Sequence, residues 1–234
     1  MNARDRICIA LDFPSRAQVL AAAQRFGGRV GWLKVGLEAF VAEGPSLVRE
    51  VAAAGGRVFL DLKLHDIPNT VARAAEAAAR CGAAMVNVHA SGGRAMLCAA
   101  REALSGRDAP KLVAVTLLTS IDAPALADLP MAGRPEGIAR RLALLAQECG
   151  LDGVVCSASD LPAIRGACGR AFLTVVPGIR LPGGQAQDQR RVATPAEAVE
   201  AGADILVLGR PITAARNPDE ALAAVLAEIE SAHV

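Results

Sequence analysis

Residues 57–62, Arg57-Val58-Phe59-Leu60-Asp61-Leu62, form a short apolar run that ends at a charged residue, and an alanine-rich segment with helical spacing separates this run from the next one at 84–89. Such alternation predicts parallel strands covered by helices. The pattern extends in both directions and gives eight candidate strands, at 7–12, 30–35, 57–62, 84–89, 111–117, 153–156, 171–176 and 204–208. Eight strand–helix units predict an α/β protein with a (β/α)₈ TIM barrel, and a doubly wound open sheet is the structural alternative.

Local signals mark the ends of the predicted helices. Thr194-Pro195-Ala196-Glu197 has the spacing of a capping box with proline in the first turn. Gly82, Gly150 and Gly202 each follow an alanine-rich helix and precede a strand, as a left-handed helix end requires. The sequence contains no linker, repeat or low-complexity stretch, so we expect residues 1–234 to form a single catalytic barrel domain.

Composition narrows the classes of function. Of the 234 residues 53% are hydrophobic, and the formal net charge is +1 at pH 7. These values are typical of a globular chain, and they indicate no general attraction to nucleic acid or to an anionic membrane. The apolar run near the N-terminus is too short for a signal peptide core or a membrane span, so we expect a cytoplasmic protein that acts on a small ligand.

The six cysteines are scattered, without a Cys-x-x-Cys pair or a histidine at metal-binding spacing. We expect them to be reduced residues buried among apolar neighbours.

Charged residues collect at the ends of the first three predicted strands. Asp61 and Lys63 are two residues apart, so strand alternation places both on the side that faces the barrel interior. Lys34 and Asp12 follow the second and first strands, and Asp66 comes three residues after Lys63. Barrel active sites lie at this face. Buried charges are costly unless compensated, so several of them at one barrel mouth indicate a functional site.

Each member of this charged cluster also has a simpler interpretation. Asp61 with Lys63 alone is an ordinary buried ion pair, and His65 with Asp66 alone is the cap of the next helix. Asp66 can turn back to the same mouth or extend towards a neighbouring subunit. A metal site is not favoured, because the lysines already neutralise the carboxylates. A Schiff-base lysine is not favoured either, because it needs a less acidic environment.

Two glycine- and arginine-containing loops follow the last two predicted strands. They are Pro177-Gly178-Ile179-Arg180 and Gly209-Arg210-Pro211-Ile212-Thr213. Barrels commonly bind phosphate at this place, where glycine lets backbone N–H groups approach the anion and arginine offers a charged fork. Segment 181–189 is polar and glycine-rich, as a lid is, and Gln189 at its end is placed to cover the anion. Segment 121–135 contains no motif that predicts a role.

At this point the sequence closely resembles the orotidine 5′-phosphate decarboxylase family over essentially its whole length. The segments that carry the resemblance occur in order along the chain: Ala10-Leu11-Asp12, Leu33-Lys34-Val35-Gly36, the run from Phe59 to Thr70, Val86-Asn87-Val88-His89-Ala90, Leu118-Thr119-Ser120, Pro177-Gly178-Ile179-Arg180, Arg191-Val192-Ala193-Thr194-Pro195 and Gly209-Arg210-Pro211-Ile212-Thr213. No single segment suffices, but together they are specific.

The resemblance implies conversion of orotidine 5′-phosphate to UMP and carbon dioxide, the last step of de novo pyrimidine synthesis, without metal or organic cofactor. Lys63 would protonate the ring carbon that loses the carboxylate. Lys34, Asp61, Lys63 and Asp66 would form the family's charged network, with Asp66 supplied by the other subunit of a homodimer.

The resemblance also implies substrate-binding roles. Asp12 and Lys34 would hold the ribose hydroxyls, Thr70 would belong to the shared site, and Thr119 would lie beside the pyrimidine. The phosphate would be bound by Arg180, Gln189, Gly209 and Arg210. The alternatives are a metal-dependent sugar-phosphate lyase or aldolase of the same superfamily and a non-catalytic barrel that binds a phosphorylated ligand. The run from His65 to Thr70 weighs against the first, and the presence of every charged position weighs against the second.

Overall fold

Eight parallel strands form a closed barrel in the computed structural model, which describes residues 1–106, 108–181 and 191–232. The strands pair in chain order, and the barrel closes where β1 pairs with β8, Cys8 opposite Val207. Their bounds are β1 Ile7–Ala10, β2 Trp32–Gly36, β3 Val58–Leu64, β4 Met85–His89, β5 Lys111–Val115, β6 Gly153–Val155, β7 Leu173–Val176 and β8 Ile205–Leu208. The predicted (β/α)₈ barrel is confirmed, and the open sheet is wrong because the first and last strands are joined.

Helices connect the strands and cover the outside of the barrel. The described residues form α1 Arg16–Phe26, α2 Leu37–Glu43, α3 Pro45–Ala53, α4 Pro68–Arg80, α5 Gly93–Ala103, α6 Ala123–Leu126, α7 Pro135–Glu148, α8 Leu161–Cys168, α9 Pro195–Glu200, α10 Arg210–Thr213 and α11 Pro218–Ser231. The predicted capping box is present at the start of α9, where Thr194 and Glu197 each accept from the other's backbone N–H. Gly82, Gly150 and Gly202 all have positive φ, as the predicted helix ends require.

The core has two layers, because alternate residues of each strand point to opposite faces. One layer fills the space between strands and helices. The other fills the barrel interior and includes Trp32, Phe59 and Met85. Two residues further along β2, β3 and β4 stand Lys34, Asp61 and Asn87, all buried. The apolar layer is thus the floor on which a polar layer rests at the carboxyl ends of the strands.

Five of the six cysteines are buried, as expected. Cys98 is exposed, which corrects the prediction for this residue. The cause is its position on α5, whose buried face is formed by Met96, Leu97 and Ala100.

Arg165 fastens the opposite end of the barrel, where β7 and β8 begin. Its guanidinium donates to the carbonyl oxygens of Gly202 and Phe172 and to the carboxylate of Asp204. Asp204 in turn accepts from the backbone N–H of Thr174.

None of the helices in the described ranges combines the length and the apolar composition needed to cross a membrane.

Candidate active site

Four charged side chains form a continuous chain across the ends of β1, β2 and β3. The Lys34 ammonium lies 2.9 Å from Asp12 Oδ1 and 3.4 Å from Asp61 Oδ2. The Lys63 ammonium lies 2.7 Å from Asp61 Oδ1. The structure therefore brings these four predicted residues together in an alternating order of carboxylates and ammonium groups.

Burial and opposite charge act against each other in this chain. Burial by itself would raise the pKa of Asp61, but Lys34 and Lys63, with hydrogen bonds from Lys63 and Asn87, outweigh it and hold the pKa below its ordinary value. Burial would likewise lower the pKa of Lys34, but the charges of Asp61 and Asp12 outweigh it and raise the pKa. Both groups therefore remain ionised at neutral pH despite being buried.

Gly36 leaves the space that the pair of Lys34 and Asp12 occupies. A Cβ atom at this position would lie 2.9 Å from both Asp12 Oδ1 and Lys34 Nζ. At such a distance one or both of these side-chain ends would have to shift, so glycine here leaves the pair undisturbed.

β3 is irregular where it carries Lys63. Leu60 pairs with Val86 and Leu64 pairs with Val88, so the register is broken between them. Lys63 has φ of 53° and is the one non-glycine residue in the described part of the chain with positive φ. Its backbone N–H donates to Asn87 Oδ1 at 2.7 Å, while Asn87 Nδ2 donates to Asp61 Oδ1 at 2.6 Å.

The charged chain faces a cavity of about 550 Å³ at the barrel mouth. The apolar part of the lining includes Phe59, Val115, Val155 and Val207. The predicted site residues that line the cavity are Asp12, Lys34, Asp61, Lys63, Thr119, Arg180, Gly209 and Arg210. Glu38 and Thr213 also line it, although neither was predicted.

The two arginines follow the last two strands. Arg180 follows β7, on the opposite side of the closed barrel from β3 and Lys63, whereas Arg210 follows β8, which pairs with β1 and is two strands from Lys34 on β2. The cavity therefore has the Lys63 ammonium and the Arg180 guanidinium at opposite sides, and Arg210 follows the strand between β7 and β1. This arrangement suits an elongated ligand with an anionic group at the arginine end.

Two predicted site residues of the described ranges, Asp66 and Thr70, are not part of this lining. Asp66 and Thr70 are exposed, and Asp66 Oδ1 accepts from the backbone N–H of Ile67 at 2.6 Å. The helix cap of the simpler interpretation is wrong, because α4 has Ile67 at its N-cap and no side-chain cap hydrogen bond. Gln189, like almost all of the predicted lid at 181–189, lies outside the described residues.

Arg191 joins two loops at the rim. Its Nη1 donates to both carboxylate oxygens of the fully buried Asp160, at 2.8 and 2.9 Å, and its Nη2 donates to the carbonyl oxygens of Leu117 and Leu118. Thr119 is the next residue of that loop. No role was predicted for Arg191, because no local pattern links it to Asp160, which is 31 positions away.

Asn87 is the other residue of the site for which no role was predicted, although it was among the polar residues expected at the face where barrel active sites lie. Its inward position, two residues after the buried Met85, was a usable signal. The lysine count was a second signal, since Lys34 and Lys63 are two of only three lysines in the chain, and the third is Lys111. Because nearly all basic residues of this chain are arginines, two lysines at the ends of neighbouring predicted strands are an unusual feature that indicates a site.

A closed barrel whose mouth carries an alternating chain of two lysines and two aspartates together with two arginines defines a protein that binds a small anionic ligand. The chain belongs to the orotidine 5′-phosphate decarboxylase / HUMPS family, whose sequence profile matches residues 5–225. The resemblance inferred from the sequence is thereby confirmed.

Individual relatives agree with this assignment. Orotidine 5′-phosphate decarboxylase of Nitrosococcus oceani is 52% identical, over 97% of this chain and 99% of the relative. The protein of the same name from Moorella thermoacetica is also 52% identical, over 98% of this chain and 94% of the relative. A crystal structure of orotidine 5′-phosphate decarboxylase from Lactobacillus acidophilus superposes with a TM-score of 0.82 at 37% identity and covers 95% of this chain and 98% of that one.

Proposed function

We propose that this chain is a carboxy-lyase that converts orotidine 5′-phosphate to UMP and carbon dioxide. The observation that carries the proposal is the Lys63 ammonium, held 2.7 Å from Asp61 at the wall of a cavity that Arg180 and Arg210 also line. The full-length similarity to relatives named for this activity supports the substrate assignment. The reaction belongs to pyrimidine nucleotide synthesis.

The two sides of the cavity orient the substrate. The phosphate binds at Arg180, Arg210 and Gly209, with Gln189 added from the segment that precedes Arg191. The ribose hydroxyls bind Asp12 and Lys34, which are already paired with each other at 2.9 Å. The pyrimidine ring lies beside Thr119, and Thr70 belongs to the shared part of the site. This orientation directs the carboxylate-bearing ring carbon to Lys63.

Lys63 supplies the proton that the reaction consumes. The bond between the ring carbon and the carboxylate breaks, carbon dioxide leaves, and the bonding electron pair stays on the ring carbon. A fixed ammonium stabilises this carbanion and donates a proton to it, after which the neutral amine takes a proton from water. Asp61, ionised because Lys34 and Lys63 lower its pKa, positions the ammonium. Binding energy from the remote phosphate can be used at the ring.

The contacts of Asp61 support a reaction without metal or organic cofactor. Its Oδ1 accepts from both Lys63 and Asn87, and its Oδ2 faces Lys34. Because these donors engage the Asp61 oxygens, the lone pairs of Asp61 are not directed at a metal ion. This feature distinguishes the proposal from that of a metal-dependent sugar-phosphate lyase.

We also propose a homodimer in which Asp66 enters the neighbouring subunit's site. Asp66 belongs to the predicted charged network but is exposed outside the cavity of its own chain. Exposed apolar side chains lie near it in the fold, since Leu37 and Val41 follow β2 and Ile67 follows β3. A second copy that covers these side chains would bring Asp66 to a charged chain that lacks it.

The remaining expectations become part of the same proposal. We infer one catalytic domain over residues 1–234, because the barrel that carries the site uses strands from Ile7 to Leu208 and α11 packs on α9 and α10. A cytoplasmic location suits an enzyme of nucleotide synthesis with five buried free thiols, since free thiols persist in a reducing compartment.

The deciding experiment follows the loss of orotidine 5′-phosphate absorbance, with and without a chelator. Wild type is expected to turn over the substrate equally in both conditions, and Lys63→Ala to lose about 10³-fold or more in kcat. Lys111→Ala is the matched control, because this exposed lysine begins β5 at the other end of the barrel. It should retain wild-type activity.

Each part of the proposal has its own contradicting result. Absence of turnover by wild type excludes the decarboxylase assignment, and chelator-sensitive turnover excludes the metal-free mechanism. Sedimentation that detects only monomer, with a substrate analogue bound, excludes the shared site. Retained dimerisation by Asp66→Asn together with a large loss of kcat is the result expected of a carboxylate that acts in the partner's site.

A further inference from the structure

The backbone of Lys63 adopts a conformation that long side chains rarely adopt. Its φ of 53° lies in the left-handed region, where the other described residues with positive φ are glycines. Such conformations persist only where surrounding structure imposes them, and they are concentrated at functional sites. Contacts with the surrounding structure, and not the intrinsic backbone preference of lysine, therefore hold Lys63 in this conformation.

Asn87 is the group that imposes this conformation. Between the pairs Leu60–Val86 and Leu64–Val88, β3 contains residues 61–63 whereas β4 contains Asn87 alone. The two extra residues bulge out of the ladder and leave the Lys63 N–H without a backbone partner on β4. The Asn87 side chain fills this gap, accepting from that N–H at 2.7 Å.

The same amide fixes Asp61. Asn87 Nδ2 donates to Asp61 Oδ1 at 2.6 Å, and Lys63 Nζ donates to the same oxygen at 2.7 Å. The orientation of the amide is unambiguous, because a backbone N–H can only donate and a carboxylate can only accept. Asn87 is only 1% exposed, so both contacts are shielded from bulk solvent.

We propose that Asn87 is a positioning residue that sets the Lys63 ammonium against Asp61 by holding the Lys63 backbone and the Asp61 carboxylate with one rigid amide. This inference rests on the proposed decarboxylation, in which Lys63 delivers the proton. Asn87 is separate from the substrate, since it does not line the cavity. Its effect passes entirely through Asp61 and Lys63.

Asparagine suits this task better than its neighbours in chemistry. Aspartate offers an acceptor to the Lys63 N–H but places a second carboxylate against Asp61. Leucine offers neither contact. A protonated aspartic acid, in contrast, has one donor and one acceptor and reproduces the pattern of the amide. Asn87→Asp should therefore regain function as the pH falls, which a residue of purely structural importance would not do.

Steady-state kinetics are the first test. Asn87→Ala is expected to lower kcat about 10- to 100-fold with KM changed less than about 3-fold, because misplacement of a catalytic group by about 1 Å has effects of this size. Asn87→Asp should recover part of kcat as the pH is lowered from about 8 to about 6, relative to wild type at each pH. A change confined to KM, or Asn87→Asp activity that does not rise relative to wild type, would overturn the proposal.

Val88→Ala is the matched control for loss of stability. Val88 is the next residue of β4, and its fully buried side chain packs in the layer between strands and helices, on the opposite face of the strand from Asn87. Its truncation should lower the melting temperature at least as much as Asn87→Ala and leave kcat within about 3-fold of wild type. An equal loss of kcat in both variants would assign the effect of Asn87 to general destabilisation and reject positioning.

A second measurement is independent of turnover. The chain has three lysines, so protein labelled with nitrogen-15 lysine gives three backbone amide resonances, with Lys34 and Lys111 as internal references. Asn87→Ala should shift the Lys63 resonance and speed its hydrogen exchange while leaving that of Lys111 unchanged. If wild type shows no decarboxylation, this measurement still tests the hold on Lys63, so failure of the function and failure of the positioning contact are distinguishable. An unchanged Lys63 resonance excludes the contact.

Discussion

The two ends of the barrel contain the same kinds of charge but use them differently. At the end where the strands begin, Arg165 pairs with Asp204 at 2.6 Å and also donates to three backbone carbonyl oxygens of the surrounding turns within 3.1 Å. At the other end, Lys34 and Lys63 pair with carboxylates while facing a cavity. The first arrangement engages the whole guanidinium in joining segments of the fold. The second leaves ammonium protons directed at a ligand.

The choice of cation explains the difference. A guanidinium has five donors in a fixed plane, which suits the joining of several carbonyl groups, whereas an ammonium is a compact charge that can give up its proton. A buried ion pair therefore indicates function when the protein does not use all of its N–H donors. We also expect variants at the two ends to alter different measured quantities.

The largest expected effect is on stability, at the Arg165 end. Arg165→Ala leaves Asp204 and several carbonyl oxygens without their donor, so the free energy of unfolding should fall by about 3–5 kcal/mol. Urea unfolding measures the fall. The kcat per folded molecule should remain that of wild type, because this end is remote from the cavity. Loss of kcat without loss of stability would break the comparison between the two ends.

Arg210→Ala tests the arginines of the mouth. Loss of a charge-assisted contact to phosphate, about 1.5–3 kcal/mol, should raise KM by about 10- to 100-fold while the melting temperature changes little. The control is the substrate nucleoside without phosphate, on which wild type and variant should act equally. If wild type and Arg210→Ala differ in their activity on the nucleoside without phosphate, Arg210 acts on another part of the substrate.

Gly36→Ala sharpens the comparison within the charged chain. The new Cβ would lie 2.9 Å from both Asp12 Oδ1 and Lys34 Nζ, so the ends of these side chains must shift from their present positions. We expect KM to rise about 10-fold through the ribose contacts, equivalent to about 1.4 kcal/mol. Gly106→Ala is the control, since its Cβ would meet nothing within 4 Å. Unchanged kinetics in Gly36→Ala would indicate that the pair does not hold the ribose.

The smallest effect is the pH dependence of stability near the mouth. Burial, His65 and Lys63 lower the pKa of His89 below its ordinary value. The folded protein therefore favours the neutral ring. The contribution of neutral His89 to the free energy of unfolding is fully present above the ordinary pKa of histidine. It is lost as the pH falls through the lowered pKa, because the unfolded chain binds the proton first.

Unfolding curves at about pH 7.5 and about pH 5.5 measure this loss. His89→Asn should show a smaller decrease in the free energy of unfolding than wild type does. Arg165→Ala should show the wild-type decrease, because its pair lies at the other end. A reduced decrease in Arg165→Ala would mean that the two ends are coupled.

Much of the fold could be predicted because its signals are local or periodic. The eight strands were found within a few residues of their observed bounds, since each is a short apolar run followed by a helical segment. Thr194 and Glu197 are three residues apart and form their capping box without help from the rest of the chain. Asp61 and Lys63 were predicted to face one side because strands alternate, and both line the cavity, although β3 is irregular between Leu60 and Leu64.

Sequence alone thus determined the number and order of the strands, the ends of several helices and the residues that collect at the mouth. Closure of the barrel was decided only by tertiary structure, because parallel buried strands look alike in an open sheet and in a barrel. The bulge at Lys63, its support by Asn87, and the joining of Arg191 to Asp160 were also decided there. Each depends on atoms far apart in the chain, whose approach no local spacing specifies.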